Sequence, residues 1–142
     1  MDLIYFHNED TDFELSDPLK IKKWILECIS NENKSCGELN FIFCSDDYLL
    51  EINQSHLNHD TFTDIITFNY VEDNVISGDI FISIDRIKDN ANSFDVPFSE
   101  ELHRVIIHGV LHLIGYDDKT PSDAQEIRQK EDFYLTLQPE NK

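Results

Sequence analysis

Cysteine, glycine, proline and positive charge are all scarce in this 142-residue chain, and each scarcity removes a class of protein. Cys28, Cys36 and Cys44 are odd in number and never spaced C-x-x-C. A disulfide framework or a zinc–cysteine site is therefore not expected, and reduced thiols are. Four glycines and four prolines leave no flexible linker to divide the chain, so residues 1–142 are expected to form one domain. That length carries a core without covalent staples. No window approaches the roughly 20 apolar residues that a membrane-spanning helix needs. The opening MDLIYFHNED has neither a basic leader nor a long apolar run, so a secretory signal is not expected and a cytoplasmic location is. Only 11 Lys and Arg face 29 Asp and Glu, a net charge of −18. Affinity for a phosphate backbone comes largely from Lys and Arg, so tight, unassisted binding of RNA or DNA is not expected. A local basic groove, a metal bridge to phosphate or docking through a partner stays open.

What is present is a run of alternating element signals. LIYFH is a short strand, and Pro18, with Ser16 or Asp17 as cap, starts a helix through IKKWILECIS. ELNFIFCS reads as a strand, Ser45 as the cap of a helix through DDYLLEINQSH, and TDIITFNY as a second β-branched, aromatic strand. In VISGDIFISID, Ile76, Ile80, Ile82 and Ile84 share one face with Gly78, opposite Ser77, Asp79, Phe81, Ser83 and Asp85. A helix from about Glu100 to Ile114, ended by Gly115, and a last one from Pro121 to about Leu135 complete the order β-α-β-α-β-β-α-α. The expected class is α/β, an α+β sandwich in which a small mixed sheet packs against helices.

The third helix of this order carries the chemistry. In HGVLHLIGYDD, residues 108–118, His108 and His112 stand four apart in a segment that is otherwise apolar nearly all round. That spacing stacks two imidazoles on one face, as in zincin-like metal helices. Two hydrogen-bonded core histidines would look the same. The turn at Gly115-Tyr116 can bring Asp117 or Asp118 back as a third ligand. Gly109 stands where H-E-x-x-H proteases carry their general base, which weakens a protease reading, and a glycine within a helix needs close packing or ligand access to justify it.

Three blocks in this order and spacing resemble the YbeY family of rRNA maturation factors, metal-dependent endoribonucleases. HGVLHLIGYDD is similar to the family's H-G-x-L-H-L-x-G-Y-D-H. INQSHLNHDTFTDIITF, residues 52–68, is similar to L-N-x-x-aromatic-R-x-x-D-x-x-T-D-V-L-S-F, and SGDIFIS at 77–83 matches the G-D-I strand. The resemblance implies one divalent ion, Zn²⁺ first and Mn²⁺ or Mg²⁺ as alternatives, held by His108, His112 and the residue at the third histidine position, here Asp118. It implies rRNA or the small ribosomal subunit as the partner; the −18 charge adds the expectation that the subunit or a protein partner places the substrate, and neither DNA nor membrane is expected as a partner.

Two positions depart from the pattern. Aspartate for histidine at 118 still offers an oxygen ligand, and suits harder ions better. The family's active-site arginine falls on Leu57, which cannot meet phosphate charge. His59, with His56 beside it, and Arg104, one turn before His108, are candidates for that role; Arg104 has Glu100 or Glu101 as an alternative partner. Asp64, beside Thr63, is a candidate to hydrogen-bond a ligand histidine. It could equally cap a neighbouring loop, and Asp79 leaves the same two roles open. The rival functions are a metal hydrolase of peptides or other non-RNA esters, and an assembly factor whose metal is structural.

Overall fold

A computed structural model describes residues 3–57 and 63–137, without the side chains of His56 and Leu57. The elements are β1 (Ile4–Asn8), α1 (Pro18–Asn31), β2 (Ser35–Cys44), α2 (Asp46–Leu57), β3 (Ile65–Asn69), β4 (Val75–Ser83), α3 (Ile84–Phe94), α4 (Phe98–Ile114) and α5 (Pro121–Leu135). The expected small mixed sheet is present. Its order is β1-β2-β4-β3, with β1, β2 and β4 parallel and β3 antiparallel along the edge of β4.

Alternation along β4 decides what each face holds. Ile76, Ile80 and Ile82 point into the main core with Trp24, Ile25 and Ile29 of α1 and Val105, Ile106 and Val110 of α4. Phe81 points the other way, to a smaller cluster with Tyr48, Leu49 and Ile52 of α2. The central strand β2 is flanked by parallel neighbours, and the end of its sequence, Phe41-Ile42-Phe43-Cys44, is buried on both faces. Trp24 donates its indole N–H to the Tyr134 carbonyl at 2.8 Å, fixing α5 across α1. None of the three cysteines is in a disulfide. Burial pushes the thiols of Cys28 and Cys44 up to about 12, which keeps them protonated and inert.

Three helix starts behave differently from one another. Ser45 caps α2, its Oγ accepting from the Tyr48 N–H at 3.1 Å. Asp17 occupies the cap position of α1, but in a left-handed conformation with no side-chain bond to the helix. The helix α3 was not anticipated. Ile84 extends the period-two pattern of β4, so the strand reads on to Asp85. In the structure Ser83 ends the strand by accepting from the Arg86 N–H at 3.1 Å, and Ile84, Ile87 and Ala91 then repeat at helical spacing toward the core.

Candidate metal centre

α4 is buried along most of its surface and carries polar residues on one strip, Glu101, Arg104, His108 and His112, at intervals of three or four. The strip faces the gap between α3 and α5. At its end Gly115 has φ 129°, a conformation that favours glycine, and its N–H closes on the carbonyls of Leu111 and His112. The chain doubles back there and carries Asp118 over the two histidines.

The outcome is a compact triangle of donors. The Nε2 atoms of His108 and His112 are 2.9 Å apart, and Asp118 Oδ2 lies 3.6 Å from the first and 3.5 Å from the second. Tetrahedral zinc with bonds of roughly 2.0 Å sets its ligand atoms about 3.3 Å apart, so these separations suit one ion. Asp117 turns aside, accepting from the Asp118 N–H at 2.8 Å.

What stands behind the donors tests the fit further. His112 Nδ1 lies 3.1 Å from the Tyr116 carbonyl, which can only accept, so that nitrogen carries the proton. His108 Nδ1 lies 2.5 Å from the Glu131 carboxylate and donates likewise. In both neutral rings the Nε2 lone pair then faces the other ring, a repulsive approach unless a cation sits between them. The residues fit a divalent ion. Without an ion, a proton on one Nε2 would relieve the same repulsion. Burial works against charging His108, but the Glu131 hydrogen bond and the charges of Glu131, Asp118 and Asp64 outweigh it and raise its pKa. Burial and the neighbouring His108 lower that of His112.

Glu131 is the residue that sequence reading missed. It is 4% exposed and joins two partners, with Oε2 on His108 and Oε1 accepting from Arg104 at 3.0 Å. The signal was present: Ile127, Glu131, Tyr134 and Leu135 form the buried stripe of α5, and an acid on an apolar stripe needs a partner. Arg104 is consequently committed to α5, to Glu131 and to Asp132 at 2.8 Å, rather than to Glu100 or Glu101. Tyr116 is anchored as well. Its hydroxyl donates to Glu32 at 2.8 Å, and Tyr134 and Lys130 meet the same carboxylate.

Beside the triangle opens a cleft of about 520 Å³, whose lining includes Asp64, Phe94, Arg104, His108, Asp118 and Arg128. Among the described residues Asp64 bonds no histidine. Its carboxylate accepts from the Asn90 side chain at 3.4 Å, and burial raises its pKa, with His108 opposing. Asp79 lies elsewhere, on the sheet beside Asn40 and Tyr70. His59 falls outside the described residues, and so do the side chains of His56 and Leu57.

Gly109 owes its place to packing. A Cβ there would come within 2.9 Å of Ile65 Cδ1 and 3.1 Å of Ile80 Cγ2, so this position points into the sheet and away from the cleft. A protease-type glutamate would be buried among isoleucines. Gly109→Glu should therefore unfold the protein or cost about 3–5 kcal/mol. Gly109→Ala should stay within about 1 kcal/mol of wild type, because Ile65 Cδ1 is a mobile tip and alanine favours the helix. Chemical denaturation of both variants checks this.

The family model described as Endoribonuclease YbeY matches residues 5–138. The chain belongs to the YbeY family. Two YbeY relatives, both named Endoribonuclease YbeY, make the match concrete. That of Flavobacterium psychrophilum is 54% identical over 92% of this chain and 93% of its own length. That of Flavobacterium johnsoniae is 51% identical over 92% and 94%. A solution structure of a Thermotoga maritima protein superposes with a TM-score of 0.66 at 29% identity, covering 94% of this chain and 87% of the other. Within this YbeY chain, the group His108, His112 and Asp118 could hold a metal ion. Among its described residues no helix is long and apolar enough to cross a membrane.

Proposed function

We propose that this chain is a metal-dependent endoribonuclease of rRNA processing, its ion held by His108, His112 and Asp118. The observation that carries the reading is the donor triangle with both Nδ1 protons already assigned, set at the edge of an open cleft. Two imidazoles and one carboxylate suit Zn²⁺, and the carboxylate also tolerates Mn²⁺ or Mg²⁺. Three protein donors leave a further coordination position, as catalytic sites do and closed structural sites do not. A divalent ion bound there supplies Lewis-acid polarisation of a phosphoryl oxygen.

The chain's own groups divide the remaining work. Glu131 and the Tyr116 carbonyl hold the two rings in orientation. Arg104 acts through Glu131, keeping that carboxylate aimed at His108. Asp64, whose pKa burial raises from the ordinary carboxylate range, stands on the cleft wall as the group that takes up and returns a proton. His59 is retained as a candidate for contact with the substrate phosphate. The net charge of −18 repels free RNA, so the substrate is rRNA presented within the small ribosomal subunit or with a protein partner.

Protein purified without chelator or added metal should contain about one divalent ion per chain by elemental mass spectrometry. It should cut precursor rRNA in assembling particles faster than the same RNA free in solution, and a chelator should stop both reactions. Metal-loaded protein that leaves free and particle-bound RNA intact would overturn the reading.

A further inference from the structure

Two guanidinium groups line the cleft, and they are not equivalent. Arg104 is 15% exposed in its side chain and spends its charge on Glu131 and Asp132. Arg128 is exposed, and among the described residues no ion pair engages it. It sits on α5 next to Ile127 and one turn before Glu131, at the border between the buried stripe and the cleft. Of the acids that line the cleft with it, Glu131 is taken by Arg104 and His108, and Asp118 belongs to the donor triangle. Buried Glu101 feels the charges of both Arg104 and Arg128 but forms no ion pair with Arg128, whose guanidinium stays exposed. The cationic position left for an entering anion is Arg128.

The same cleft has an unexplained aromatic. Phe94, the last residue of α3, is 61% exposed although it lines the cavity. It shares a helix face with Asn90, four residues earlier, which also lines the cleft. An exposed ring at a cleft mouth gains burial when a flat group covers it. Single-stranded nucleic acid is read by this pairing of groups, a cation for the backbone and a ring for the base.

We infer that Arg128 and Phe94 form a nucleotide subsite of this cleft, the guanidinium binding a phosphate and the ring stacking an unpaired base. The inference rests on the ribonuclease reading above. It assigns substrate grip to α3 and α5, which flank α4 and its histidines. Both residues serve binding in ground and transition state alike, so they act on KM and leave kcat nearly unchanged.

The test uses a short single-stranded RNA at low salt with the metal-loaded full chain. Arg128→Ala should raise KM about tenfold with metal content intact. It should also lower the salt-dependence slope of log K by about 1, and Arg128→Lys should restore that slope. Phe94→Ala should raise KM about five- to tenfold without changing the slope. Phe94→Trp gives a reporter whose fluorescence RNA should quench, since Trp24, the one native tryptophan, is 1% exposed and shielded from RNA bound in the cleft. Wild-type KM and slope in all these variants, with cleavage retained, would overturn the subsite and leave the ribonuclease reading standing. Failure of the wild type itself to bind or cut RNA would remove both.

Discussion

His108→Ala should come through purification without stoichiometric metal, and its RNA cleavage should fall by more than the 10–100-fold typical of changes behind a ligand. The variant removes one of three donors, leaving His112 and Asp118 with no third protein atom to close the triangle. It also deprives Glu131 of one of its two partners, though Arg104 still satisfies that carboxylate, so the fold should survive. Asp118→Ala should lose metal to a similar degree. Asp118→His should regain it, with a preference shifted from Mn²⁺ or Mg²⁺ toward Zn²⁺, since imidazole is the softer ligand. Elemental analysis and metal-competition titrations read all three. Metal retained by His108→Ala at wild-type stoichiometry would place the ion elsewhere.

Glu131→Ala should damage both the fold and the metal site, because it breaks two contacts at once. Arg104 would keep only the exposed Asp132, and a largely buried guanidinium short of its partner costs about 3 kcal/mol. For a chain of this size that corresponds to a fall of roughly 10 °C in the Tm of the metal-free protein. The second loss is the acceptor for His108 Nδ1. Its ring is then free to rotate or change tautomer, and metal affinity should drop about 10–100-fold. The two losses separate in a double variant. Glu131→Ala with Arg104→Ala removes the orphaned charge and should recover part of the Tm, while metal affinity stays low. Recovery of both together would mean that Glu131 acts on the metal only through general stability. Glu131→Gln should also fail at the metal, since Arg104 and His108 donate to different oxygens of Glu131 and the amide replaces one of them with an NH2 that cannot accept.

Local signals located most of the fold, and their limits are visible at particular residues. Pro18 and Pro121 start their helices where their fixed φ suits a first turn, and Gly115 ends α4. The helix α3 escaped because Ile84 satisfies two periodicities, and only the capping bond of Ser83 decides between them. The two histidines of the candidate site stood out because charge-capable rings on an apolar helix demand a partner. Asp118 was within reach because the chain reverses just before it. Glu131 was harder to see. Its partners lie 23 and 27 residues upstream on another helix, and no local pattern reports a contact made across the packing of α4 on α5. The nearest warning was its position among Ile127, Tyr134 and Leu135. The cleft was invisible for the same reason, since Asp64, Phe94, His108 and Arg128 come from four separate segments.

The Glu131–His108 contact also sets an order of assembly. A growing chain that has completed α4 and the following turn already holds His108, His112 and Asp118, yet the carboxylate that aims His108 arrives only with α5. Tyr116 is in the same position: its hydroxyl meets Glu32, and that carboxylate is shared with Tyr134 and Lys130 of α5. Half-made chains therefore carry the ingredients of a nuclease without its aim. For an enzyme synthesised on an RNA machine, competence that waits for the last helix is a built-in delay.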